Sequence, residues 1–266
     1  MSAAEQGPWW YWAPFLGAFA VIGFWETFVP ARASPVSTPR RWAANAILLA
    51  VANALQVVLL RTGSGAVAVA GEGLGIALLP RTQLPVAAQW AIAILILDLV
   101  RYLQHLLVHK VGFLWRIHQV HHSDPHYDVS TGVRFHPFEG LFLNGSYLLV
   151  IAVLAPPVFA VLSVEAAAGF QSMFAHANAD LPARLNRLLR RFWITPNLHR
   201  IHHSIDPSEQ NTNFGMLFPV WDLIFGTFRA DSRLPAAAME IGIQGFAVER
   251  ASNVFTLLAM PFRRRA

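Results

Sequence analysis

Long stretches without a charged side chain are the feature that most constrains this chain. Charged residues are absent between Glu5 and Glu26, from Trp42 to Leu60, and from Gly140 to Val164. A helix that crosses a bilayer needs about 20 mostly apolar residues, which is the length of these stretches. Only 13% of the residues are charged, whereas an average soluble domain has about 25%. The chain has too few charges to cover a water-exposed surface, so we expect an integral membrane protein.

We predict about four spans, beginning with 8–25 and 42–60. The third span, Pro85–Leu97, is apolar and runs directly into charged residues and histidines, so it ends in a polar site. Gly63–Pro80 is rich in Gly and Ala and contains a glutamate, which favours a re-entrant piece or a short helix. The fourth segment, 140–164, contains Pro156 and Pro157. Paired prolines turn a straight helix into a kinked span or a tight hairpin.

Charges at the ends of the spans predict an orientation. The N-terminal tail carries only acidic residues, whereas the loop after the first span carries Arg32, Arg40 and Arg41. The positive-inside rule therefore places this loop in the cytoplasm. The second span then leads out and the third leads back, so the histidine region is expected on the cytoplasmic side. This parity requires that 63–80 does not form an additional full span.

The histidines are gathered in three short motifs. All 11 lie between His105 and His203. The first motif spaces two histidines four residues apart, and the other two motifs each hold three histidines at positions i, i+3 and i+4. These spacings predict that each motif presents its imidazoles from one side of a helix. The motif histidines are His105 and His109, then His118, His121 and His122, then His199, His202 and His203.

These motifs predict a metal centre with more than one ion. A tetrahedral zinc ion takes at most four ligands, and the motifs supply more imidazoles than that. Imidazole suits iron, zinc and copper alike, so the motifs alone do not choose the metal. Uncoordinated imidazoles packed together would be desolvated and would repel one another when protonated. Cysteine is absent, so the ligands are expected to be nitrogen atoms.

Three histidines lie outside the motifs. His176 follows the long apolar segment, where the chain leaves the membrane, and we predict it as a further ligand. His136 is predicted as either a ligand or a group that orients one, and His126 as a surface loop residue. Asp98 lies seven residues before His105 and is predicted to orient a ligand imidazole.

On these residues the chain resembles the fatty acid hydroxylase / sterol desaturase superfamily of membrane di-iron oxygenases. The resemblance covers roughly residues 90–230. Its matching segments are Asp98–His109, Trp115–Ser123, Thr131–Glu139, Phe174–Asn178, Pro196–His203 and Asn213–Thr227. One departure is Asn211, where the family often has an acidic residue two positions before Asn213.

The resemblance implies transmembrane helices topped by a cytoplasmic cap of helices that carries the histidine boxes. It implies two iron ions held by the motif histidines, with His176 added to them. It also implies O₂ as co-substrate and either hydroxylation or desaturation of an alkyl chain. This agrees with the chemistry, because attack on an unactivated C–H bond needs a metal or cofactor.

Electrons are expected from a separate protein. The sequence contains no glycine fingerprint for a flavin or a nicotinamide cofactor, so a reductase, ferredoxin or cytochrome would supply them. Nucleic-acid binding would need a soluble basic module, and the sequence shows none, so we expect no nucleic-acid partner. Three alternatives stay open: a zinc-dependent membrane hydrolase with Glu139 as general base, a metal transporter, and a non-catalytic metal-binding membrane protein. The substrate is expected to be a lipid of sterol or fatty-acyl type, and carotenoids, ether lipids and sphingoid bases stay open.

The predicted fold is all-α with three regions. These are transmembrane segments in 1–84, a hydroxylase-like catalytic domain in 85–232 with two membrane segments and the cap, and a C-terminal tail in 233–266. Within the cap, we expect Arg134 to form an ion pair with Glu139.

Overall fold

The computed structural model describes residues 9–33, 38–73, 75 and 77–263. Within this part of the chain the structure is helical and contains no strand, which confirms the predicted all-α class. Two isolated β-bridges, Pro30–Ala179 and Ser204–Ile241, connect loops. The acidic N-terminal tail used in the orientation argument lies outside the described residues.

The α-helices follow one another with short connections. They are α1 (Trp9–Phe28), α2 (Thr38–Leu60), α3 (Ser64–Gly73), α4 (Leu78–Arg81), α5 (Val86–Lys110), α6 (Gly112–His122), α7 (Pro137–Leu154), α8 (Val158–Ala175), α9 (Ala183–Leu189), α10 (Pro196–His202), α11 (Pro207–Gln210), α12 (Val220–Phe225) and α13 (Val254–Ala259). Short 3-10 turns form at Val129–Val133, Ala236–Ala238, Val248–Ser252 and Met260–Phe262.

Four helical segments in the described part of the chain are long and apolar enough to cross a membrane. They are Thr38–Gly73, Val86–Lys110, Pro137–Leu154 and Val158–Ala175. The number agrees with the prediction, but the segments are distributed differently. The expected first span is α1, whose described apolar part, Ala13–Phe28, is shorter than the four. The predicted fourth segment provides two of them.

The paired prolines produce a hairpin. Helix α7 ends at Leu154, and Ala155 adopts a left-handed conformation with φ 44°. Pro156 and Pro157 have no backbone N–H to donate and so cannot continue the helix. Helix α8 starts directly after them and returns towards the histidines. Of the two predicted alternatives, the tight hairpin is the one observed.

Helix α3 supplies the short helix predicted within 63–80. It continues α2 after a break at Arg61, which has a φ of 53°. The two helices run along α7 and approach it closely at glycines. A Cβ atom at Gly71 would lie 2.5 Å from the Ala152 carbonyl oxygen, so a larger residue would push α3 away from α7. Helices α2 and α3 together make one candidate span, so α3 is not counted as a span of its own.

A cap of short helices lies at one end of this bundle. The end of α1 meets it at Glu26, whose Oε2 accepts hydrogen bonds from the backbone N–H groups of Val129 and Asn178, each at 3.0 Å. The start of α2 meets it through Arg41, which is 1% exposed and lies 2.9 Å from Asp124. The arginine-bearing loop and the histidine region therefore lie on the same side of the bundle.

The junction of α2 with the cap is a paired, buried charge cluster. Arg41 bonds to Asp128 as well as Asp124, and Asp128 accepts a hydrogen bond of 2.9 Å from Trp42 Nε1. Nearby Arg41 lowers the pKa of Asp124 below its ordinary value, although burial opposes this. Removing one partner from such a cluster leaves an uncompensated buried charge, which is strongly destabilising.

Candidate metal centre

The structure brings nine histidines together in two adjacent groups. In each group the potential ligand atoms lie within 4.8 Å of one another. The five-histidine cluster consists of His105, His109, His118, His122 and His202, and the four-histidine cluster of His121, His176, His199 and His203. The two clusters touch, because the rings of His122 and His203 stack with centroids 4.3 Å apart.

Helices α6 and α10 each serve both clusters. In α6 the i and i+4 histidines, His118 and His122, face the five-histidine cluster and His121 faces the other. In α10 the assignment is reversed, since His202 alone joins the five-histidine cluster. Neighbouring helical residues are about 100° apart around the axis, so positions i+3 and i+4 diverge. The structure thus divides each of the two three-histidine motifs between the clusters, whereas His105 and His109 stay together.

Backbone carbonyls fix the orientation of four of these rings. A carbonyl can only accept a hydrogen bond, so the Nδ1 atom facing it carries the proton and Nε2 keeps its lone pair. The Nδ1-to-oxygen pairs are His105–Phe214 (2.9 Å), His202–Thr212 (2.8 Å), His121–Arg134 (3.2 Å) and His176–Ser172 (2.6 Å).

These orientations turn lone pairs towards one another. His176 Nε2 lies 3.1 Å from the Nε2 atoms of His121, His199 and His203. Between His176 and His121 neither Nε2 carries a proton, so the contact is repulsive unless a cation lies between them. Two imidazole nitrogens bound to one metal at about 2.0–2.1 Å are separated by roughly 3.0–3.4 Å. The four-histidine cluster therefore fits a metal ion.

The five-histidine cluster also contains closely spaced ring nitrogens and buried nitrogens without partners. The Nε2 atoms of His109 and His122 lie 3.1 Å apart. In the described part of the chain, the buried Nε2 atoms of His105, His118 and His202 have no hydrogen-bond partner. Buried nitrogens without partners are costly, and a bound cation would satisfy all of them.

Glu139 orients one imidazole of the five-histidine cluster. Its Oε1 lies 2.6 Å from His118 Nδ1, and both side chains are buried. A carboxylate on the outer nitrogen of a ligand imidazole fixes the ring and raises its basicity. The predicted ion pair of Glu139 with Arg134 is wrong. The Arg134 guanidinium is held by Val120 O, Asn45 Oδ1, Ala251 O and Ser123 Oγ.

Asp98 acts on the ligands through a loop. It was expected to orient an imidazole, but it accepts hydrogen bonds from the backbone N–H groups of Leu217 (3.0 Å) and Phe218 (3.3 Å) and from Trp221 Nε1 (2.9 Å). These bonds hold loop 212–218 against α5. The loop supplies the two carbonyls, of Thr212 and Phe214, that orient His202 and His105.

Asp222 closes the same loop. It accepts hydrogen bonds of 2.8 Å from the backbone N–H groups of Phe214 and Gly215. A Cβ atom at Gly215 would lie 2.9 Å from Asp222 Oδ2, so glycine allows this contact. Two buried carboxylates thus fix the loop from both ends.

The protonation of the clustered histidines suits a metal. Burial lowers the pKa of His176 to about 4, although its hydrogen bond to Ser172 opposes the shift. Metal ions bind neutral imidazole, so these sites are ready for metal at neutral pH. Burial also lowers the pKa well below 6.5 for five further histidines of the two clusters, and repulsion from neighbouring imidazoles lowers it more. These are His121, His122, His199, His202 and His203.

The remaining predicted residues lie apart from both clusters. His136 precedes α7, where its Nδ1 accepts from Phe138 N and its Nε2 lies 3.2 Å from Leu258 O. His126 is 5% exposed, so its expected place on the surface is wrong. Asn211 bonds to Lys110 Nζ at 3.1 Å and to its own helix, with no imidazole among its hydrogen-bond partners.

Sequence reasoning missed the aromatic walls of the centre. Phe214 and Tyr127 are fully buried, with rings 5.1 Å from His109 and 4.9 Å from His203 respectively. Trp115 lies 4.9 Å from His109 and is half-buried. The chain has 19 phenylalanines and nine tryptophans, so no spacing signal distinguished these rings from others.

Comparisons with known proteins agree with this geometry. A family model described as fatty acid hydroxylase matches residues 90–227. Ornithine lipid hydroxylase OlsE of Rhizobium tropici is 33% identical over 69% of this chain and 53% of its own length. Alkylglycerol monooxygenase of Caenorhabditis elegans is 30% identical over 53% of this chain and 27% of its length. Cholesterol 25-hydroxylase of Rattus norvegicus is 30% identical over 58% of this chain and 52% of its own length.

The chain spans about half the length of two of these relatives and about a quarter of the other. No solved structure matches the chain significantly.

Proposed function

Since the chain belongs to the fatty acid hydroxylase family, we propose that it is a membrane-bound non-haem di-iron oxygenase that hydroxylates a lipid. The relatives named above are hydroxylases or monooxygenases, which favours hydroxylation over desaturation. The reaction would use O₂, two iron ions and electrons from another protein. The proposed substrate is a lipid of sterol or fatty-acyl type.

The opposed imidazoles are the observation that carries this proposal. Nine buried or half-buried rings converge in two touching clusters, and nitrogen lone pairs meet at 3.1 Å. One ion cannot use so many ligands, which supports two. The ligands are the motif histidines with His176. His136 is not proposed as a ligand, because both of its ring nitrogens have partners elsewhere.

Each part of the centre has a distinct task. Bound iron would activate O₂ for attack on an unactivated C–H bond. In five of the nine rings, the backbone carbonyls and Glu139 keep protons on the outer nitrogens, so that the inner nitrogens stay free to bind. Phe214 and Tyr127 form dry walls, which would keep water from a reactive oxidant. Asp98 keeps loop 212–218 in place.

The alternative functions fit the geometry less well. A hydrolase would need a carboxylate free to act as general base on water, but Glu139 is committed to His118 at 2.6 Å. A transporter usually binds its ion near the middle of the membrane. Here the clusters lie where α5 ends and just after α8 ends, on the cap side.

We place the cap on the cytoplasmic side. The loop between α1 and α2 lies on the cap side of the bundle, and its Arg40 is exposed. The positive-inside rule puts such a loop in the cytoplasm. A cytoplasmic cap would also give a soluble electron carrier access to the metal centre.

Oxygen uptake tests the proposal. The purified protein is loaded with iron, reduced chemically, and supplied with lipid extract from cells that lack the protein. We expect lipid-dependent O₂ uptake, with one atom of labelled O₂ in a lipid product found by mass spectrometry. The His176→Ala variant is the control. The oxygenase proposal would be refuted if the purified protein held zinc and the iron-loaded protein took up no O₂.

A further inference from the structure

Trp115 connects the outside of the cap to the five-histidine cluster. Its ring centroid lies 4.9 Å from that of His109, 5.3 Å from His122 and 6.1 Å from His118. The side chain is half-buried, so one part touches three ligands and another part faces outwards. Phe214 also touches ligands of this cluster but is fully buried.

Exposed cations lie before and after Trp115 in the chain, at the end of α5 and on α6. Lys110 ends α5, and its Nζ lies 5.9 Å from the centroid of the Phe214 ring. Arg116 follows Trp115 and donates a 3.3 Å hydrogen bond to the carbonyl oxygen of Arg263. The side chains of Lys110, Arg116 and Arg263 are all exposed.

An exposed apolar side chain lies in the same segment of the chain. Phe113, at the turn between α5 and α6, is 66% exposed. We call Lys110, Phe113, Trp115, Arg116 and Arg263 the elbow patch. The segment from Lys110 to His122 contains no acidic residue and carries Lys110 and Arg116, so its charge is positive. Its charge is complementary to an acidic protein surface.

Phe135 provides a comparison. It is also half-buried, and its ring stacks on His121 with centroids 4.9 Å apart. Its neighbour Arg134 is fully buried and offers no exposed charge. Aromatic contact with a ligand therefore coincides with an exposed basic surface at Trp115 but not at Phe135.

We propose that the elbow patch is the docking site of an acidic one-electron carrier protein, with Trp115 as the electron entry to the five-histidine cluster. The inference rests on the proposed function. Hydroxylation of one C–H bond by one O₂ takes up two electrons and two protons and releases one water. Each carrier is oxidised by one electron, so two encounters serve one turnover.

A lipid headgroup is the competing occupant. Exposed basic residues at the end of a spanning helix also suit anionic lipids. The contact of Trp115 with three ligands favours the carrier, because headgroup binding would require no link to the metal centre. The experiment below distinguishes the two occupants.

Binding of oxidised plant-type ferredoxin, a [2Fe–2S] one-electron carrier, tests the docking site. The protein is held in zwitterionic nanodiscs, and affinity is measured by biolayer interferometry at low and high ionic strength. We expect affinity to fall about tenfold or more in the double variant Lys110→Glu, Arg116→Glu, with most of its salt dependence lost. The control, Arg187→Glu with Arg191→Glu, reverses two exposed arginines on and after α9 and is expected to bind like wild type.

Reduction kinetics test Trp115 itself. In iron-loaded protein saturated with ferredoxin, Trp115→Leu is expected to slow reduction by ferredoxin, measured per bound iron, about tenfold or more, whereas reduction by dithionite is slowed much less. Equal slowing with both reductants would overturn the entry role.

Wild-type ferredoxin affinity in the double variant would overturn the docking site. A loss of affinity that appears only in anionic nanodiscs would indicate a headgroup site instead. Failure of the proposed function is separate, because dithionite-reduced protein would then consume no O₂ whatever its ferredoxin affinity.

Discussion

The two histidine clusters differ in how they are closed. All four rings of the four-histidine cluster are buried, and helices α6, α8 and α10 surround it. In the five-histidine cluster, His105 and His109 are half-buried, and a loop and a carboxylate orient the rings. The four-histidine cluster is thus sealed and the five-histidine cluster is accessible, so we expect external reactants to arrive at the five-histidine cluster.

The largest expected effect is the loss of one ion from the sealed cluster. His176 is central there, because its Nε2 lies 3.1 Å from three other ligands. We expect His176→Ala to bind one iron instead of two. Losing a residue that hydrogen-bonds to a ligand costs up to about 100-fold in activity, so losing a ligand itself should cost more than that. Iron content and labelled-oxygen incorporation measure this. His136→Ala is the matched control and should retain both irons.

A smaller effect is expected at the accessible cluster from Glu139→Gln. The amide oxygen can still accept from His118 Nδ1, but the negative charge that raises ring basicity is lost. We expect iron affinity at one of the two sites to fall about 10- to 100-fold, as followed by anaerobic iron titration. Equal weakening of both sites would contradict the assignment of Glu139 to a single cluster. Glu165→Gln, which removes a carboxylate bonded to Ser64, serves as control.

Asp98→Asn tests the loop that orients His105 and His202. An amide cannot accept at both oxygen positions as the carboxylate does, so loop 212–218 should loosen. We expect a loss of about tenfold in iron affinity at the accessible cluster, with the sealed cluster still filled. If both irons are lost together in a folded variant, Asp98 supports the cap generally and not this cluster.

The smallest effect is the pH dependence of the metal-free protein. Burial lowers the pKa of His176 from 6.5 to about 4, so the unfolded chain binds a proton before the folded chain does. The contribution of His176 to the free energy of unfolding is therefore fully present above pH 6.5, and it is lost as the pH falls towards about 4. Thermal unfolding of metal-free protein across this range should show the slope, and His176→Gln should reduce it. A slope unaffected by this variant would contradict the pKa assignment.

The helical spacing of the histidines predicted which of them converge, but not how they divide between the two clusters. The motif histidines and His176 do converge, because positions i and i+4 share a side of a helix. The placement of His121 and His202 in opposite clusters depends on where the fold puts α6 and α10, which no spacing encodes. The spans were predicted from hydropathy, whereas the hairpin at Ala155 was one of two outcomes that paired prolines allow.

The partners of the ligands could not be predicted. Four rings are oriented by backbone carbonyls, and every residue has a carbonyl, so the sequence carries no signal for Thr212 or Phe214. Asp98 was identified as important from its position before His105, but its partners lie on a loop more than a hundred residues later. Arg134 and Glu139 are close in sequence, yet each found another partner in the folded cap.

Mössbauer spectroscopy of the iron-loaded protein tests the central claim, two unequal ions in two adjacent all-histidine clusters. We expect two distinct iron signals of equal area, and a single remaining signal in His176→Ala. One iron signal in the wild-type protein, or the same two signals in His176→Ala, would contradict it.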